Sequence, residues 1–151
     1  MEDSSMIKVQ KDDFDINKEI KKITSVNKNI GGTGLFIGNV REGKNSELKS
    51  MTLEHYPIMT ERQLEKINNE AKARWNLIDS LIIHRYGKLY PGDQIVLVAT
   101  FSRHRTDALN ACEFLIDWLK TKAPFWKLEE SNQGSTWVKE RHSDLDAANK
   151  W

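Results

Sequence analysis

The 151-residue chain is expected to be an α+β protein, a partly antiparallel mixed sheet with helices packed on it. Three observations lead there. Apolar residues recur at helical spacing in three stretches. Runs rich in β-branched and aromatic residues fall between those stretches, bounded by Gly, Pro and Asp. Several links between the runs are of hairpin length, shorter than a parallel crossover requires.

Residues 6–9 suggest an edge strand. After Asp15, the positions of Ile16, Ile20 and Ile23 make the apolar stripe of a short helix, leaving Lys18, Lys21 and Lys22 to water. The segment GGTGLFIGNV at 31–40 opens with glycines and continues as a strand through Leu35, Ile37 and Val40. EGKNSE at 42–47 is turn-rich, and residues 48–56 read as a second strand with Met51 and Leu53 on one face, so the two predict a β-hairpin. Pro57 ends that strand. Thr60 with Gln63 then predicts a capping box for a helix carrying Leu64, Ile67, Ala71 and Trp75, lying flat on the sheet. Strands at 78–85 and 94–101 follow, separated by Gly87 and the turn Pro91, Gly92, Asp93. The longest helix is predicted at 106–122, with Leu109, Cys112, Leu115, Ile116 and Leu119 as its buried stripe, and Pro124 limits it. Two short strands around a turn at Gln133 and Gly134 complete the chain. The whole reads as a single domain over 1–151, with 1–13 and 142–151 expected to be flexible.

Composition excludes several classes. Lys and Arg number 23 against 22 Asp and Glu, a net charge of +1, so bulk charge does not steer this chain to nucleic acid and any basic site is local. With 38% hydrophobic residues, five Trp and five Phe, it can build a core despite a mean hydropathy of −0.63. The longest strongly apolar stretch, 95–101, falls far short of the roughly 20 residues a membrane helix needs. The first residues carry neither a basic nor an apolar leader region, so a cytoplasmic location is expected. Cys112 is the only cysteine, which leaves no internal disulfide and no thiolate metal cluster. His55, His84, His104 and His142 are scattered, without an HExxH pattern, so no metal is expected. Gly32 and Gly34 lack the third glycine and the following helix of a dinucleotide loop.

The densest basic cluster is Arg103, His104 and Arg105, at the predicted start of the longest helix. Cations there oppose the helix dipole, so the cluster reads either as a solvated corner or as the seat of a phosphate or carboxylate. Lys120 and Lys122 complement the dipole at the other end, as in an ordinary helix terminus. Lys127 follows the aromatic stretch PFW, whose walls offer a dry setting for an ammonium group, and Phe125 and Trp126 themselves suit stacking on a base or a pterin, or, more often for such residues, packing. Arg41 ends a strand before a polar loop, within reach of a ligand. Thr106 and Lys120 are 14 residues apart, roughly 21 Å at 1.5 Å per helical residue. One small ligand spanning both ends would need two copies of the chain, joined across a twofold interface.

The stretches GNVR at 38–41, LEHYPIMTE at 53–61, HRYGKLYPGD at 84–93, SRHR at 102–105 and LKTKAPFWK at 119–127 are similar to the large, catalytic subunits of molybdopterin synthase, the MoaE family. The likeness runs over about 110 residues, and Trp137 with Arg141 continues it. It implies an α/β-hammerhead-like fold and a sulfurtransferase. The sulfur donor would be a small ubiquitin-like carrier subunit ending in a Gly-Gly thiocarboxylate. The acceptor would be cyclic pyranopterin monophosphate (precursor Z), which gains the dithiolene of molybdopterin. The resemblance further implies a homodimer within a 2+2 heterotetramer, no cofactor, and neither nucleic-acid nor membrane partners. Lys120 and Lys127 would be catalytic, Arg41, His104, Arg105 and, from the other copy, Arg141 would bind substrate, and Phe36 and Ile116 would line the carrier-tail pocket. The family often has Met where this chain has Ile116. A reading from a different class is a non-enzymatic dimeric adaptor that holds a phosphorylated ligand or a Gly-Gly protein tail in the same pocket.

Overall fold

The structure, a computed structural model, describes residues 6–43, 47–138, 146, 147, 149 and 151. In chain order the elements are β1 (Ile7–Gln10), α1 (Ile16–Thr24), β2 (Gly32–Asn39), β3 (Leu48–His55), α2 (Met59–Arg74), β4 (Asp79–Arg85), β5 (Gly87–Leu89), β6 (Gln94–Ser102), α3 (Arg105–Thr121), β7 (Phe125–Ser131) and β8 (Gly134–Trp137). They make two four-stranded sheets. The first has the order β1-β4-β6-β2, with β1 parallel to β4 and the other pairs antiparallel. The second, β5-β3-β7-β8, is antiparallel throughout.

The first sheet is covered on both faces, which is why β4 and β6 read as nearly unbroken apolar runs rather than as alternating ones. Successive side chains of a strand point to opposite faces. Leu81 and Ile83 therefore meet Phe14 and Ile23 on the α1 side, together with Leu97, Ala99 and Phe101 of β6. Ile82, Val96 and Val98 meet Leu64, Ile67 and Ala71 of α2 and Cys112, Phe114 and Leu115 of α3 on the other. A third cluster, Val40, Met51, Leu53 and Leu89, contains residues of β3 and β5. Ile82, Leu97 and Leu115 are fully buried; each contributes about 1.5–3 kcal/mol by leaving water, and truncating Ile82 to Ala costs about 2–5 kcal/mol. Where α2 crosses β4, the Ser80 hydroxyl donates to the Asn68 side-chain oxygen and the Asn68 amide donates to the Ser80 backbone carbonyl, satisfying both buried side chains.

Helix termini follow their residues closely. The Asp15 carboxylate accepts from the Lys18 N–H at 3.1 Å and caps α1. At the start of α2, the Met59 N–H donates to the Pro57 carbonyl at 2.9 Å across Ile58, whose φ of 73° and ψ of −55° complete a γ-turn of the strained, positive-φ kind. The carboxylate of Glu61 accepts from the Ile58 N–H at 2.6 Å. Trp151 folds back on the helices: its ring lies edge-on to Trp75 and Phe114, its indole N–H donates to Asp117, and its carbonyl accepts from Arg74.

Several sequence expectations change. The edge strand is present but shifted to Ile7–Gln10. The hairpin expected from β2 and β3 does not form: β2 pairs with β6, while β3 pairs with β5 and β7, in the other sheet. Residues 44–46 of their connection lie outside the described residues. The expected single sheet is thus two, and β5 is a strand that its three residues did not announce. The capping box expected at Thr60 and Gln63 is replaced by the Glu61 carboxylate, because the helix begins earlier; Ile58 has no side-chain acceptor, so only one arm of a box exists. Thr60 is buried instead, donating to the Tyr56 carbonyl at 2.7 Å. Leu109 is 58% exposed, and the buried stripe of α3 runs through Ala108, Ala111, Cys112 and Leu115. The face turns because β2 comes close enough at Gly34 for an added Cβ to collide with the Ala108 carbonyl, an approach only small residues permit.

Candidate functional site

Strand β6 carries Ser102 to the end of the first sheet, where Arg103, His104 and Arg105 turn the chain into α3. His104 occupies the N-cap position with extended backbone, and its N–H donates to the Ser102 hydroxyl at 3.3 Å. All three basic side chains are exposed. Gly31 and Gly32 lie directly against the backbone of Arg103 and Arg105, with the Gly31 N–H bonded to the Ser102 carbonyl at 2.9 Å. An open groove of about 390 Å³ adjoins this corner, lined by Thr24, Asn27, Lys28, Ile30, Gly31 and Thr33 among others. Cationic side chains, a helix N-terminus and a polar groove together suit an anionic ligand.

The far end of α3 builds a different environment. Lys120 is exposed in its last turn, and after Pro124 the chain enters β7, where Phe125 and Lys127 share one face. Phe125 is flanked by two imidazoles. His84 of β4 stacks on it, with centroids 3.8 Å apart and planes at 14°; His55 of β3 lies tilted at 5.8 Å. Tyr86 in turn packs on His55 at 4.5 Å. The Arg85 carbonyl can only accept, so its 2.8 Å contact with His84 Nδ1 puts the ring proton on that nitrogen. Burial pushes His84 down to about 4, opposed by this hydrogen bond and reinforced by the positive fields of Lys127, Lys120 and His55. His84 is therefore neutral at pH 7. Trp126, on the opposite face of β7, packs on Tyr56.

Sequence reasoning counted His84 among scattered histidines. The available signal was period two: with Leu81 and Ile83 facing α1, His84 had to face the side of α2 and α3. Phe36 and Ile116 both fringe the core cluster on that side, half-buried, as does Phe125. Arg41 is exposed just beyond β2, where Val40 bonds to Asp93 and Gly92 of the turn before β6. Arg141 lies outside the described residues. Cys112 is buried, and burial with the neighbouring Glu113 pushes its thiol up to about 12, so it is no nucleophile.

The predicted site residues thus divide between two places. His104 and Arg105 stand at one end of the α3–β2 layer; Lys120, Lys127 and Arg41 belong to the other. The 17 residues of α3 span about 25 Å, and β2, running antiparallel to β6, carries the chain about as far from Gly32 to Asn39.

The sequence and the fold are both shared with known proteins. The family model described as MoaE protein matches residues 9–122. A protein of Ralstonia nicotianae named molybdopterin synthase catalytic subunit is 50% identical over 146 residues, covering 96% of this chain and 83% of that one. Among solved structures, the molybdopterin biosynthesis MoaE protein of Burkholderia ambifaria superposes with a TM-score of 0.83 at 48% identity, covering 97% of both chains. The molybdopterin synthase structure from Staphylococcus aureus gives 0.82 at 29% identity, covering 91% of this chain and 99% of that one. With the family model matching residues 9–122 and relatives sharing about half of the sequence and the fold over nearly its full length, this chain belongs to the MoaE family.

Proposed function

We propose that the chain is the catalytic subunit of a molybdopterin synthase, a sulfurtransferase that moves sulfur from the thiocarboxylated Gly-Gly terminus of a small carrier subunit to cyclic pyranopterin monophosphate. The observation that carries the reading is that Lys120, in the last turn of α3, and Lys127, on the same face of β7 as Phe125, belong to one aromatic-walled end of the fold, where Phe125 stacks on His84. Anionic chemistry suits that end. A thiocarboxylate brings negative charge: its sulfur bonds a side-chain carbon of the pterin as a carbon–oxygen bond at that carbon breaks, and water then cleaves the acyl–sulfur bond of the resulting thioester, leaving the sulfur on the pterin and a carboxylate on the carrier. Charge develops on the acyl oxygen during that step, and two ammonium groups in a partly dry setting stabilise it and exchange protons with it.

His104 and Arg105 would hold the substrate's cyclic phosphate, guanidinium forks matching its oxygens in pairs. Because these residues lie a helix length from Lys120, one ligand reaches both only when a second copy of the chain supplies the opposite end. Arg41 and Arg141 complete the proposed substrate contacts, and Phe36 and Ile116 the channel for the carrier tail. No helix among the described residues is long and apolar enough to cross a membrane; a cytoplasmic reaction goes with this reading.

The test is dithiolene formation from cyclic pyranopterin monophosphate and thiocarboxylated carrier, with native chain and with Lys120→Ala. The variant should keep its fold and its carrier binding and lose most product formation. Normal turnover by Lys120→Ala would sink the mechanism, and binding without turnover by the native chain would favour a non-enzymatic adaptor.

A further inference from the structure

The two imidazoles around Phe125 occupy a place that the chemistry above does not use. His84 and Phe125 come from strands of different sheets, so their stacked rings tie the first sheet to the second at the entrance of β7. His55 stands directly opposite Phe125 in the β3–β7 register, and Leu53 stands opposite Lys127. Phe125 and Lys127, two residues apart in a strand, project to the same side. Whatever fixes the Phe125 ring therefore fixes the face from which Lys127 projects. The tautomers are set as well. Thr60 Oγ1 spends its only proton on the Tyr56 carbonyl, so His55 Nδ1, 3.1 Å away, donates to it. His84 Nδ1 donates to the Arg85 carbonyl. Both rings are oriented by hydrogen bonds to the protein rather than by substrate.

We propose that His84 is a positioning residue for the lysine pair: a neutral imidazole that clamps Phe125, and through it Lys127, while adding no third positive charge beside the two ammonium groups. This rests on the sulfurtransferase reading for its consequence in catalysis, although the arrangement itself is independent of that reading. The groups that face the ring are Lys120 from α3, Lys127 from β7 and His55 from β3, with Arg85 next to it on β4. Tyr86 and, over its ring, Lys11 form the layer behind His55. The positive fields of Lys127 and Lys120 oppose protonation of the ring, and a neutral ring spares the pair a third positive charge.

Two measurements decide it. The first needs no activity: the ring nitrogens of His84 are followed by NMR in ¹⁵N-labelled native chain, Lys120→Met and Lys127→Met between pH 3 and 8. The native ring should remain neutral with the proton on Nδ1 above pH 5, and its titration midpoint should rise in each lysine variant. A native midpoint near 6.5, a proton on Nε2, or a midpoint indifferent to both lysines would overturn the proposal. The second is steady-state dithiolene formation. His84→Leu, which removes the flat ring, should lower kcat about tenfold with little change in KM for carrier or pterin. His84→Phe, which restores a neutral stacking ring, should recover most of that loss. Equal kcat for the Leu and Phe variants would overturn the clamp. If native chain and Lys120→Ala are equally inactive, the sulfurtransferase reading fails, and the NMR titration still decides the arrangement.

Discussion

Gly31 lies against the carbonyl of Arg103 so closely that a Cβ on Gly31 would overlap the carbonyl oxygen. The contact joins the start of β2 to the corner that bears the basic cluster, and neither partner is the end of a flexible side chain that can swing away. Gly31→Ala should therefore displace the corner. Destabilisation of about 1–3 kcal/mol is expected from overpacking, seen as a fall in Tm, with weaker binding of the pterin phosphate than of the carrier. An unchanged Tm and unchanged pterin affinity would show that the backbone yields freely there.

His84 makes stability depend on pH in a defined window. Its folded value is lowered to about 4 against an ordinary 6.5, so between those values the unfolded chain binds more protons and stability rises with pH. The contribution is complete above about pH 6.5 and is lost as pH falls towards 4. At 1.36 kcal/mol for each unit of separation it amounts to about 3 kcal/mol. Denaturant titrations of the native chain across that range should show the slope, and His84→Phe should flatten it.

Ile58 holds a β-branched side chain at φ 73° while leaving 66% of its surface exposed. Little burial is lost on truncation, and the strain is relieved by glycine, which takes positive φ freely. Ile58→Gly should stabilise the chain by about 1 kcal/mol, a rise of about 2–4 °C in Tm for a chain of this size. A lower Tm would mean that the exposed isoleucine makes contacts that offset its backbone strain.

The separation of the basic ends predicts complementation. If each site combines one chain's Lys120 with another chain's Arg105, then Arg105→Ala and Lys120→Ala chains, each inactive alone, should regain activity when mixed and allowed to exchange. Random pairing makes half the dimers mixed, each with one intact site of two, so recovery of about a quarter of native activity is expected. Recovery absent despite demonstrated subunit exchange would place both ends in separate functions.

Much of this was legible in the residues themselves. Ile16, Ile20 and Ile23 predicted α1, and the run at 94–101 predicted a buried strand, because periodicity is a local matter. Lys120 and Lys127 were singled out by family resemblance more than by chemistry, since a lysine in the last turn of a helix is ordinary. What escaped was partner choice. Nothing local distinguishes a β2 that pairs with β3 from one that pairs with β6, and the three residues of β5 carry too little pattern to be read.

The sequence by itself determined the class of each long element, the α+β architecture and the local charge of both ends of α3. The tertiary structure decided which faces meet. Close approach at Gly34 turned Ala108 inward and Leu109 out, and the meeting of two sheets placed His84 on Phe125 beside two lysines. The reason is physical: element type follows from spacing along the chain, whereas burial, stacking and the neutral state of a histidine depend on residues distant in sequence that only packing brings together.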